Sequence, residues 1–362
     1  MATQLSATQV QIDTLSIISA TATYDLIPHL EELNIYESID NKHLRATIIL
    51  VDSFNICNKL PILGEETIDI TISLPGEDGE LLLNPMLFHV IAVKDRFLRS
   101  PQSQRFVIDC VSEQYMNNVH TKISKSYRDK TADEIVADIY KNWLFDGNEL
   151  ITEASFGTEP CVIPNWTPYQ AINFLIQRTK PLDSDYAYNF RYYQTIKDTR
   201  FQSINTLCDL DPVLTFLTAP RGKDTMNVAA LAKGEIHVDE MKILRGFEKI
   251  QHINEGQYAS KMITHDITKK EIRQYDFNGI NNWMGHQHIG PFPPLANSDT
   301  EFVTATRPNI VFAPYGDGGT GDEEWARTAS LNEKDMSTCS LYDSVVNFYP
   351  KHDRLFSFNS GE

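Results

Sequence analysis

A strict alternation of apolar and polar side chains in the first 120 residues limits what this chain can fold into more than any other feature of its sequence. In the clearest stretch the two kinds of side chain alternate over eight residues: Thr67, Ile68, Asp69, Ile70, Thr71, Ile72, Ser73 and Leu74. Successive side chains of a β-strand point to opposite faces of the sheet. This stretch therefore predicts a strand that is buried on one face.

Similar stretches lie around this one. Leu33 and Ile35 alternate with polar neighbours. Phe106, Ile108 and Cys110 share one face of a further stretch, with Val107 and Val111 on the other. Residues 46–51 are apolar on both faces, which predicts a strand buried on both sides. Turn-forming residues separate the stretches at Pro61–Gly64, Pro75–Gly79 and Ser100-Pro101. Several short strands at this spacing favour a closed or nearly closed β-barrel, or a β-sandwich.

Between residues 121 and 182 the period changes from that of a strand to that of an α-helix. A capping box, Thr131-Ala-Asp-Glu134, precedes a helical stripe formed by Ala132, Ile135, Val136, Ile139, Tyr140, Trp143 and Leu144. A second box, Thr167-Pro-Tyr-Gln170, precedes the stripe of Ala171, Ile172, Leu175 and Ile176. We predict two amphipathic helices that pack on strands, with Ile135, Ile139 and Trp143 facing the sheet.

The β pattern then returns. Tyr186–Tyr193 alternates with aromatic residues on one face, Phe201–Ile204 is short and strand-like, and Lys261–Phe277 reads as a β-hairpin turning at Thr268–Lys270. Residues 281–330 lose this periodicity and are rich in proline, which predicts a long loop or arm that makes contacts outside its own domain.

The charge balance excludes some partners. Lys and Arg number 32 and Asp and Glu number 49, a formal charge of −17. Wrapping DNA or docking on anionic lipid needs clustered cations, so both are disfavoured, whereas a channel that DNA passes through without binding is compatible with this charge.

The cysteines and the N-terminal residues argue for a cytoplasmic site of synthesis. Five widely spaced cysteines, without a CxxC pair, predict buried thiols and neither a disulfide framework nor a thiolate zinc site: Cys57, Cys110, Cys161, Cys208 and Cys339. The first residues lack a basic and then apolar leader, so we expect no signal peptide. Ile48–Val51, the longest aliphatic run, is too short to cross a bilayer.

No stretch carries a convincing catalytic or cofactor motif. The run Gly316–Asp322 lacks both a P-loop lysine and EF-hand ligand spacing, so a solvated loop is favoured over a Ca²⁺ or phosphate site. His286 and His288 could supply two metal ligands, with Asp276 or Asp299 as a third, but a polar loop is the favoured interpretation. His252 and His265 are interpreted as ordinary residues at a core edge.

Acidic and aromatic clusters also have simpler interpretations than a site. The neighbouring pairs Glu31-Glu32, Glu65-Glu66 and Glu323-Glu324 do not supply carboxylates facing each other across a cleft, so a solvated or lumen-facing surface is favoured. The aromatic stripe of residues 186–192 has no basic groove around it, so a packed sheet face is favoured over base stacking. We predict no catalytic, cofactor-binding or metal-ligating residues, and no enzyme.

Several stretches, taken in chain order, resemble the baseplate hub proteins of contractile-tail bacteriophages, the family typified by T4-like hubs. They cover roughly residues 30–280: Tyr36–Ile39, Leu44–Asp52, Leu60–Ile70, Ile123–Tyr127, Ile139-Tyr140, Ile163–Leu175, Tyr188–Tyr192, Phe201–Ile204 with Leu207, and Glu255–Lys261 leading into His265-Asp266. The hub part of type VI secretion spike proteins is similar to this family.

The resemblance implies a mixed, β-rich (α+β) fold, with two tube-type β-barrel domains joined by an α/β part that carries the two helices. The expected domains are a first barrel at 1–120, an α/β linker domain at 121–212, a partial second barrel at 213–280, and an irregular proline-rich arm with the C-terminal segment at 281–362. The chain departs from the family near its end, where Glu323–Asn332 is helix-like and little length follows for the remaining barrel strands.

The function implied is that of a baseplate hub. Three chains would form a ring that adapts the six-fold tail tube to the three-fold spike and leaves an axial channel for the tape-measure protein and DNA. Partners would be the tube protein, a separate spike protein, the tape-measure protein and other baseplate proteins, in a virion assembled in the host cytoplasm, without membrane insertion. The alternatives are a hub of a type VI-like injection system and a virion glycan hydrolase. In a hub, we expect Thr67, Asp69, Thr71 and Ser73 to line the channel.

Overall fold

The computed structural model describes residues 11–20, 22–60, 62–73, 86–100, 103–182, 190–211, 215–217, 235–245, 250, 259–266, 270–278, 309–314 and 345–350. These residues are rich in strands, which form several largely antiparallel sheets, with short helices between some of them. The β-rich prediction is therefore confirmed. The strand pairings among the described residues close none of the sheets into a barrel.

The largest sheet contains seven antiparallel strands in the order β2-β1-β5-β6-β7-β4-β3. Its strands are β1 (Gln11–Ile18), β2 (Thr23–Asp25), β3 (Leu30–Tyr36), β4 (Arg45–Asp52), β5 (Thr67–Ser73), β6 (Met86–Ser100) and β7 (Ser103–Ser112). The predicted alternation is present in β5, where Ile68, Ile70 and Ile72 are buried and the polar residues between them are half-buried. Leu74 lies outside the described residues.

The prediction that residues 46–51 are buried on both faces is wrong. Ala46, Ile48 and Leu50 of β4 are fully buried, whereas Ile49 and Val51 are half-buried. The fully buried residues of β4 all lie on the face that covers the core. Apolar residues on both faces of a strand therefore do not require burial on both sides.

The seven-stranded sheet curls strongly. A 3₁₀ turn at Ile27–His29 joins β2 and β3, which are the two outermost strands. Asp25 and Leu30 are therefore at most about 18 Å apart along the chain, whereas a flat sheet of this width would separate its outer strands by about 29 Å. The turn bridges the gap, because Leu26 N donates to Leu15 O at 2.8 Å and His29 Nδ1 lies 3.3 Å from Val51 O.

Two helices interrupt the first 120 residues, which the sequence pattern presented as strands alone. They are α1 (Ile56–Lys59) and α2 (Glu113–His120). The prediction is wrong at α2 because its fully buried side chains, Gln114 and Asn118, are polar. A helix that buries amides presents no apolar stripe to detect. The sequence pattern also did not predict that β6 extends from Met86 to Ser100.

Both predicted amphipathic helices are present in the segment that follows. They are α3 (Ala132–Ile139), which continues into a π-helical turn at Tyr140–Leu144, and α4 (Pro168–Ile176). Thr131 N donates to Glu134 Oε2 at 3.3 Å at the start of α3. At the start of α4, Thr167 N donates to Gln170 Oε1 at 3.0 Å and Gln170 N donates to Thr167 Oγ1 at 3.4 Å.

The stripe of α3 is buried except at its end. Ile135 and Ile139 have no exposed area, as predicted. Trp143 is half-buried and packs against the same cluster, so it lies on the predicted side but keeps part of its surface exposed. The wider π turn rotates Trp143 partly out of the stripe that a continuous α-helix would extend.

Two small sheets pack with these helices. One pairs β8 (Ile123–Tyr127) with β10 (Cys161–Trp166), and the other has the order β11-β12-β9. The strands of the second are β9 (Glu149–Thr152), β11 (Phe190–Gln194) and β12 (Asp198–Ser203), followed by α5 (Ile204–Cys208). Of the predicted aromatic face, Tyr186 and Tyr188 lie outside the described residues. Tyr192 and Tyr193 are both buried, so the aromatic residues do not occupy one face alone.

Two hydrophobic clusters lie beneath these elements. The first fills the curled seven-stranded sheet, from Leu15 to Cys110, and also includes Ile196 from the loop between β11 and β12. The second joins α3, α4 and the two small sheets, from Ile123 to Phe201. Cys110 and Cys161 are buried free thiols in these clusters, in keeping with the interpretation from sequence.

The remaining described strands form two three-stranded sheets. Their strands are β13 (Thr215–Leu217), β14 (Glu235–Arg245), β15 (Ala259–Asp266), β16 (Glu271–Asn278), β17 (Asn309–Pro314) and β18 (Val345–Pro350). β15 and β16 form the predicted hairpin. The expectation of an irregular arm after residue 280 is wrong at two places, because β17 pairs in parallel with β15 and β18 pairs antiparallel with β14.

Candidate functional site

The loop between β3 and β4 connects the seven-stranded sheet to the segment that follows it. Three contacts hold this loop: Ile196 N donates to Glu37 Oε2 at 2.7 Å, Arg191 Nε lies 3.4 Å from Asp40 Oδ1, and Tyr169 OH donates to Lys42 O at 3.4 Å. All three partners come from α4 or from the region of β11. The loop therefore fixes the orientation of one hydrophobic cluster relative to the other.

Gln194, the last residue of β11, completes the connection. Its Oε1 accepts from Leu44 N at 3.1 Å, just before β4, and from Ser112 Oγ at 2.6 Å, at the end of β7. Its Nε2 donates to Asp146 Oδ2 at 2.7 Å. The side chain is 1% exposed, so each of these bonds replaces one that water would otherwise make.

Asp146 collects donors from several elements. Tyr140 OH and Asn148 N donate to its Oδ1 at 2.7 and 3.2 Å. Gln114 Nε2 donates to its Oδ2 at 3.0 Å and also to Thr199 Oγ1 at 2.6 Å. No cation takes part in these bonds, so the carboxylate is stabilised by neutral donors. Burial and the hydrogen bond to Asp146 raise the pKa of Tyr140, so its hydroxyl stays a donor.

We call this hydrogen-bond network the joint, and its members are Gln114, Tyr140, Asp146, Gln194 and Thr199. The sequence patterns did not predict it. The signal available was weak, because Gln114 and Gln194 are isolated amides in otherwise apolar or strand-like stretches. The π-helical turn that positions Tyr140 leaves no recognisable sequence pattern. The joint orients two packed units, with Gln114, Gln194 and Thr199 buried and Asp146 half-buried.

His43 lies in the same connection. Its ring centre is 4.3 Å from that of Tyr115 and 6.3 Å from that of Tyr169. Burial lowers the pKa of His43 to about 4, with smaller contributions from the charges of Arg45 and Lys42. The imidazole is therefore neutral at physiological pH and packs as an aromatic ring.

The far end of the seven-stranded sheet has only four strands. β5 pairs with β6 only from Met86 to His89, whereas β7 pairs with β6 as far as Ser100. Beyond Val90 the described sheet therefore consists of β6, β7, β4 and β3 in that order. We call the outer side of β6 from Ile91 to Leu98 the β6 edge, and the outer side of β3 the β3 edge; neither has a described strand beside it.

The two edges differ in charge. Glu31 and Glu32 are exposed on β3. On and beside the β6 edge, the side chains of Lys94 and Arg99 are 58% and 59% exposed, and both are paired within the chain: Lys94 Nζ lies 2.5 Å from Asp109 Oδ2, and Arg99 Nη1 lies 3.8 Å from Glu31 Oε1 of β3. The β6 edge also exposes apolar side chains: Ile91 is 43%, Phe97 49% and Leu98 76% exposed.

Buried hydrogen bonds hold this end of β6 in place. Arg96 Nε donates to Gln104 Oε1 at 2.8 Å, and Gln104 Nε2 donates to Asp52 Oδ2 at 2.9 Å. Asp52 is 1% exposed and also accepts from Phe54 N and Ile56 N. These bonds tie β6 to the loop after β4 through Gln104.

Most residues considered as sites from sequence are not brought together. His252, His286, His288, Asp299 and the run Gly316–Asp322 lie outside the described residues, while His265 lies in β15. Among the described residues, no group of three metal-ligating side chains comes together. The expected channel-lining residues of β5 are half-buried in the single chain.

The acidic pairs have separate positions. Glu31 Oε2 accepts from Arg105 Nε at 2.6 Å, across the face of the sheet. Glu66 is buried and caps its own turn, because its carboxylate accepts from Leu63 N and Gly64 N at 3.0 and 2.9 Å. These backbone bonds outweigh burial, and the pKa of Glu66 is lowered. Glu323-Glu324 lies outside the described residues.

Comparisons with known proteins address the fold. The sequence matches no protein-family model and no curated protein sequence. The structure is similar to a tail protein from Neisseria meningitidis MC58, with a TM-score of 0.54, 12% identity, and coverage of 92% of this chain and 79% of that one. This chain has the fold of a phage tail protein.

A second solved structure gives the same result. The 43 kDa tail protein of prophage MuSo2 from Shewanella oneidensis matches with a TM-score of 0.53, 10% identity, and coverage of 92% of this chain and 81% of that one. The tail-protein resemblance found in the sequence is thus confirmed at the level of the fold. Among the described helices of this tail-protein fold, none combines the length and apolar character needed to cross a membrane.

Proposed function

We propose that this chain is a structural baseplate hub of a phage tail and acts without catalysing a reaction. Three copies form a ring that adapts the six-fold tail tube to the three-fold spike and leaves an axial channel for the tape-measure protein and DNA. The fold supports this proposal because proteins of the tail share it. The one observation that carries it is the pair of sheet edges on the four-stranded end, neither of which has a described strand beside it.

These edges favour assembly of identical chains. A sheet edge without a partner strand is a template for a further strand. The acidic β3 edge and the basic β6 edge lie on opposite sides of the same four strands. In the proposed ring, the β6 edge of one copy adds to the β3 edge of the next, and the sheet continues from copy to copy. Ile91, Phe97 and Leu98 would lose their exposed area in this contact.

The charges also favour a ring over a two-fold dimer. Two β6 edges paired about a two-fold axis would bring Lys94 and Arg99 of one copy close to the same cations of the other. Like charges opposite each other in a sheet are destabilising. Contact between two different edges is heterologous, and such contacts produce closed rings when the rotation closes.

The proposed division of the chain follows the hub resemblance. Residues 1–120 form the first tube-type barrel, 121–212 the α/β linker domain, and 213–280 the partial second barrel, with the C-terminal segment at 281–362. The pairing of β17 and β18 with β15 and β14 supports a second β unit that draws strands from the C-terminal segment. Two such units per chain would give six around the axis of a trimer.

The proposed partners and location follow from the same role. The ring contacts the tail tube protein on one side and a separate spike protein on the other, next to further baseplate proteins. The tape-measure protein and DNA pass without specific binding, and the protein does not insert into membranes. Its place is the virion baseplate, after assembly in the host cytoplasm. We propose that Thr67, Asp69, Thr71 and Ser73 contribute to the channel wall.

Mass measurement of the purified protein tests the ring. We expect a homotrimer at micromolar concentration, and class averages with three-fold symmetry around a central opening. Finding only monomers or dimers, with no trimer in the particle, would contradict the proposal. For the channel, we expect no binding of the trimer to duplex DNA at low salt, where screening is weakest. Measurable binding under those conditions would show a basic wall instead.

A further inference from the structure

The turn between β11 and β12 has a large apolar residue at its tip. Thr195 N donates to Asp198 O at 2.8 Å and closes the turn, which encloses Ile196 and Lys197. Two-residue hairpin tips favour Asn, Asp and Gly, whose backbones tolerate the sharp reversal of the chain. Lys197 is exposed, whereas Ile196 is only 7% exposed. The side chain of Ile196 is therefore covered by residues outside its own turn.

Ile196 is buried in the core of the seven-stranded sheet. It belongs to the first hydrophobic cluster, whose other buried members lie between Leu15 and Cys110. The strands that carry the turn belong to the second cluster instead, through Phe190, Tyr192 and Phe201. One hairpin thus contributes its strands to one core and its tip to the other.

Hydrogen bonds set the conformation of this turn. The Thr195 hydroxyl donates to Asp198 Oδ1 at 2.8 Å, and it accepts from Lys197 N and Asp198 N at 3.2 and 3.0 Å. Asp198 Oδ1 also lies 2.9 Å from Arg200 Nε. The position of Ile196 is therefore fixed by bonds within the turn as well as by the core that covers it.

Two further bonds place the turn at the joint end of the sheet. Ile196 N donates to Glu37 Oε2 at 2.7 Å, just after β3. Gln194, two residues earlier, accepts from Leu44 N just before β4. Glu37 and Leu44 lie at the two ends of the loop that joins these strands. The tip of the turn therefore enters the first cluster beside this loop.

Separating the two clusters would have several costs at this point. Ile196 would become exposed and would leave a cavity in the first cluster. The bonds from Ile196 N to Glu37 and from Leu44 N to Gln194 would break in the same step. These losses fall on both clusters, so neither can open at this end without a cost to the other.

We propose that the β11–β12 turn, residues 195–198, is a pin that makes the two hydrophobic clusters one cooperative unit, in which neither core opens without the other. Residues 1–120 are then not an autonomous domain, although the sequence pattern places a boundary at their end. Cooperative units of this kind are defined by the contacts that must break together. The inference concerns contacts within one chain, so it does not rest on the proposed ring.

Native-state hydrogen exchange on the full chain tests the pin, with Ile139→Ala as the perturbation. Ile139 is fully buried in the second cluster. We expect this variant to lower the protection of the slowest amides in α4 and in β5 by the same factor, at least about 100-fold. Equal factors mean that the two cores open together.

Changes in the turn itself form the second arm of the test. Ile196→Ala removes the apolar contact and should lower protection in β5 and α4 alike, by at least about 30-fold. Ile196→Asp places a charge at the tip, so adding Ile139→Ala to that chain should change protection in β5 by less than about twofold. Lys197→Asp, at the exposed neighbouring position, is the matched control and should preserve the equal factors.

Three results would overturn the proposal. In the first, Ile139→Ala lowers protection in α4 alone, which would make the seven-stranded sheet an autonomous domain. In the second, Ile196→Ala changes protection in neither segment. In the third, Lys197→Asp uncouples the two cores as strongly as Ile196→Asp. A chain with coupled cores that never forms a trimer would contradict the proposed hub and leave this inference standing.

Discussion

Gln194 Nε2 lies 2.7 Å from Asp146 Oδ2, in a hydrogen bond that ties the end of β11 to the loop after the π-helical turn. The same amide accepts from the seven-stranded sheet through its oxygen. One side chain thus links both hydrophobic clusters. Removing either the amide oxygen or the amide nitrogen of Gln194 would leave a buried polar group without a hydrogen bond.

Replacing this amide tests the joint. Gln194→Glu keeps both acceptor bonds but removes the donor and sets a second carboxylate against Asp146. We expect a loss of about 2–4 kcal/mol in the free energy of unfolding at pH 7. The paired carboxylates should have a raised folded pKa, so the loss should be present above that pKa and shrink as pH falls toward 4.

Urea denaturation at pH 7 and pH 5 measures this effect. Gln177→Glu, the same chemical change at an exposed position after α4, is the control and should alter stability by less than about 0.5 kcal/mol. A Gln194→Glu protein as stable as the wild type at pH 7 would show that the joint contributes little.

His43 predicts a second dependence on pH. Its folded pKa of about 4 is below the ordinary value of 6.5, because burial and nearby cations disfavour the charged imidazole. The unfolded state therefore binds the proton more readily, and stability should be lost as pH falls from about 6.5 to about 4. Since the ring is partly exposed, solvent screening limits the expected loss to about 1 kcal/mol.

Melting curves across that pH range would check it. His43→Gln lacks the titrating group, so its stability should fall less than that of the wild type over the same interval. Parallel curves for the two proteins would show that His43 is not held neutral by the fold.

Replacing Ile139 with alanine should destabilise the protein more than replacing the larger Trp143 with alanine. Ile139 has no exposed area, so Ile139→Ala should cost about 3–4 kcal/mol through lost burial and a cavity. Trp143 is partly buried beside Lys125, so Trp143→Ala should cost only about 1–2 kcal/mol. Denaturant midpoints of the two variants decide the order, and a larger loss for Trp143→Ala would place its ring in the core.

The charged edges predict that assembly depends on the sign of a few side chains. Lys94→Glu with Arg99→Glu makes the β6 edge acidic and removes the pairs with Asp109 and Glu31 within the chain. We expect the affinity of the proposed trimer to fall at least about tenfold, because this edge would then face the acidic β3 edge. Adding Glu32→Lys to the same chain should restore part of the affinity. Sedimentation at several concentrations measures both changes.

The control for this experiment carries Lys59→Glu with Lys122→Glu. Both lysines are exposed and lie outside the two edges, and the change in net charge is the same. Equal weakening in the control and in the edge variant would mean that overall charge, and not edge pairing, controls assembly.

The local elements could be predicted from the sequence because their signals lie within a few residues. The alternation of Ile68, Ile70 and Ile72 fixed a strand with one buried face, and the box at Thr167–Gln170 marked the start of α4. Periodicity and capping depend only on neighbouring residues, so they can be read without knowing the fold. The tail-protein fold was likewise indicated by the order of several weak stretches.

Tertiary structure alone decided how these elements meet. Leu44 and Gln194 are 150 residues apart, and nothing local to either predicts the hydrogen bond between them. The helix α2 escaped detection because its buried residues are amides whose partners, such as Tyr192 and Thr199, come from distant strands. The free β6 edge exists only because β5 ends its pairing at His89, a matter of register between strands. Burial of polar groups and the ends of pairings depend on long-range contacts, which a local pattern does not contain.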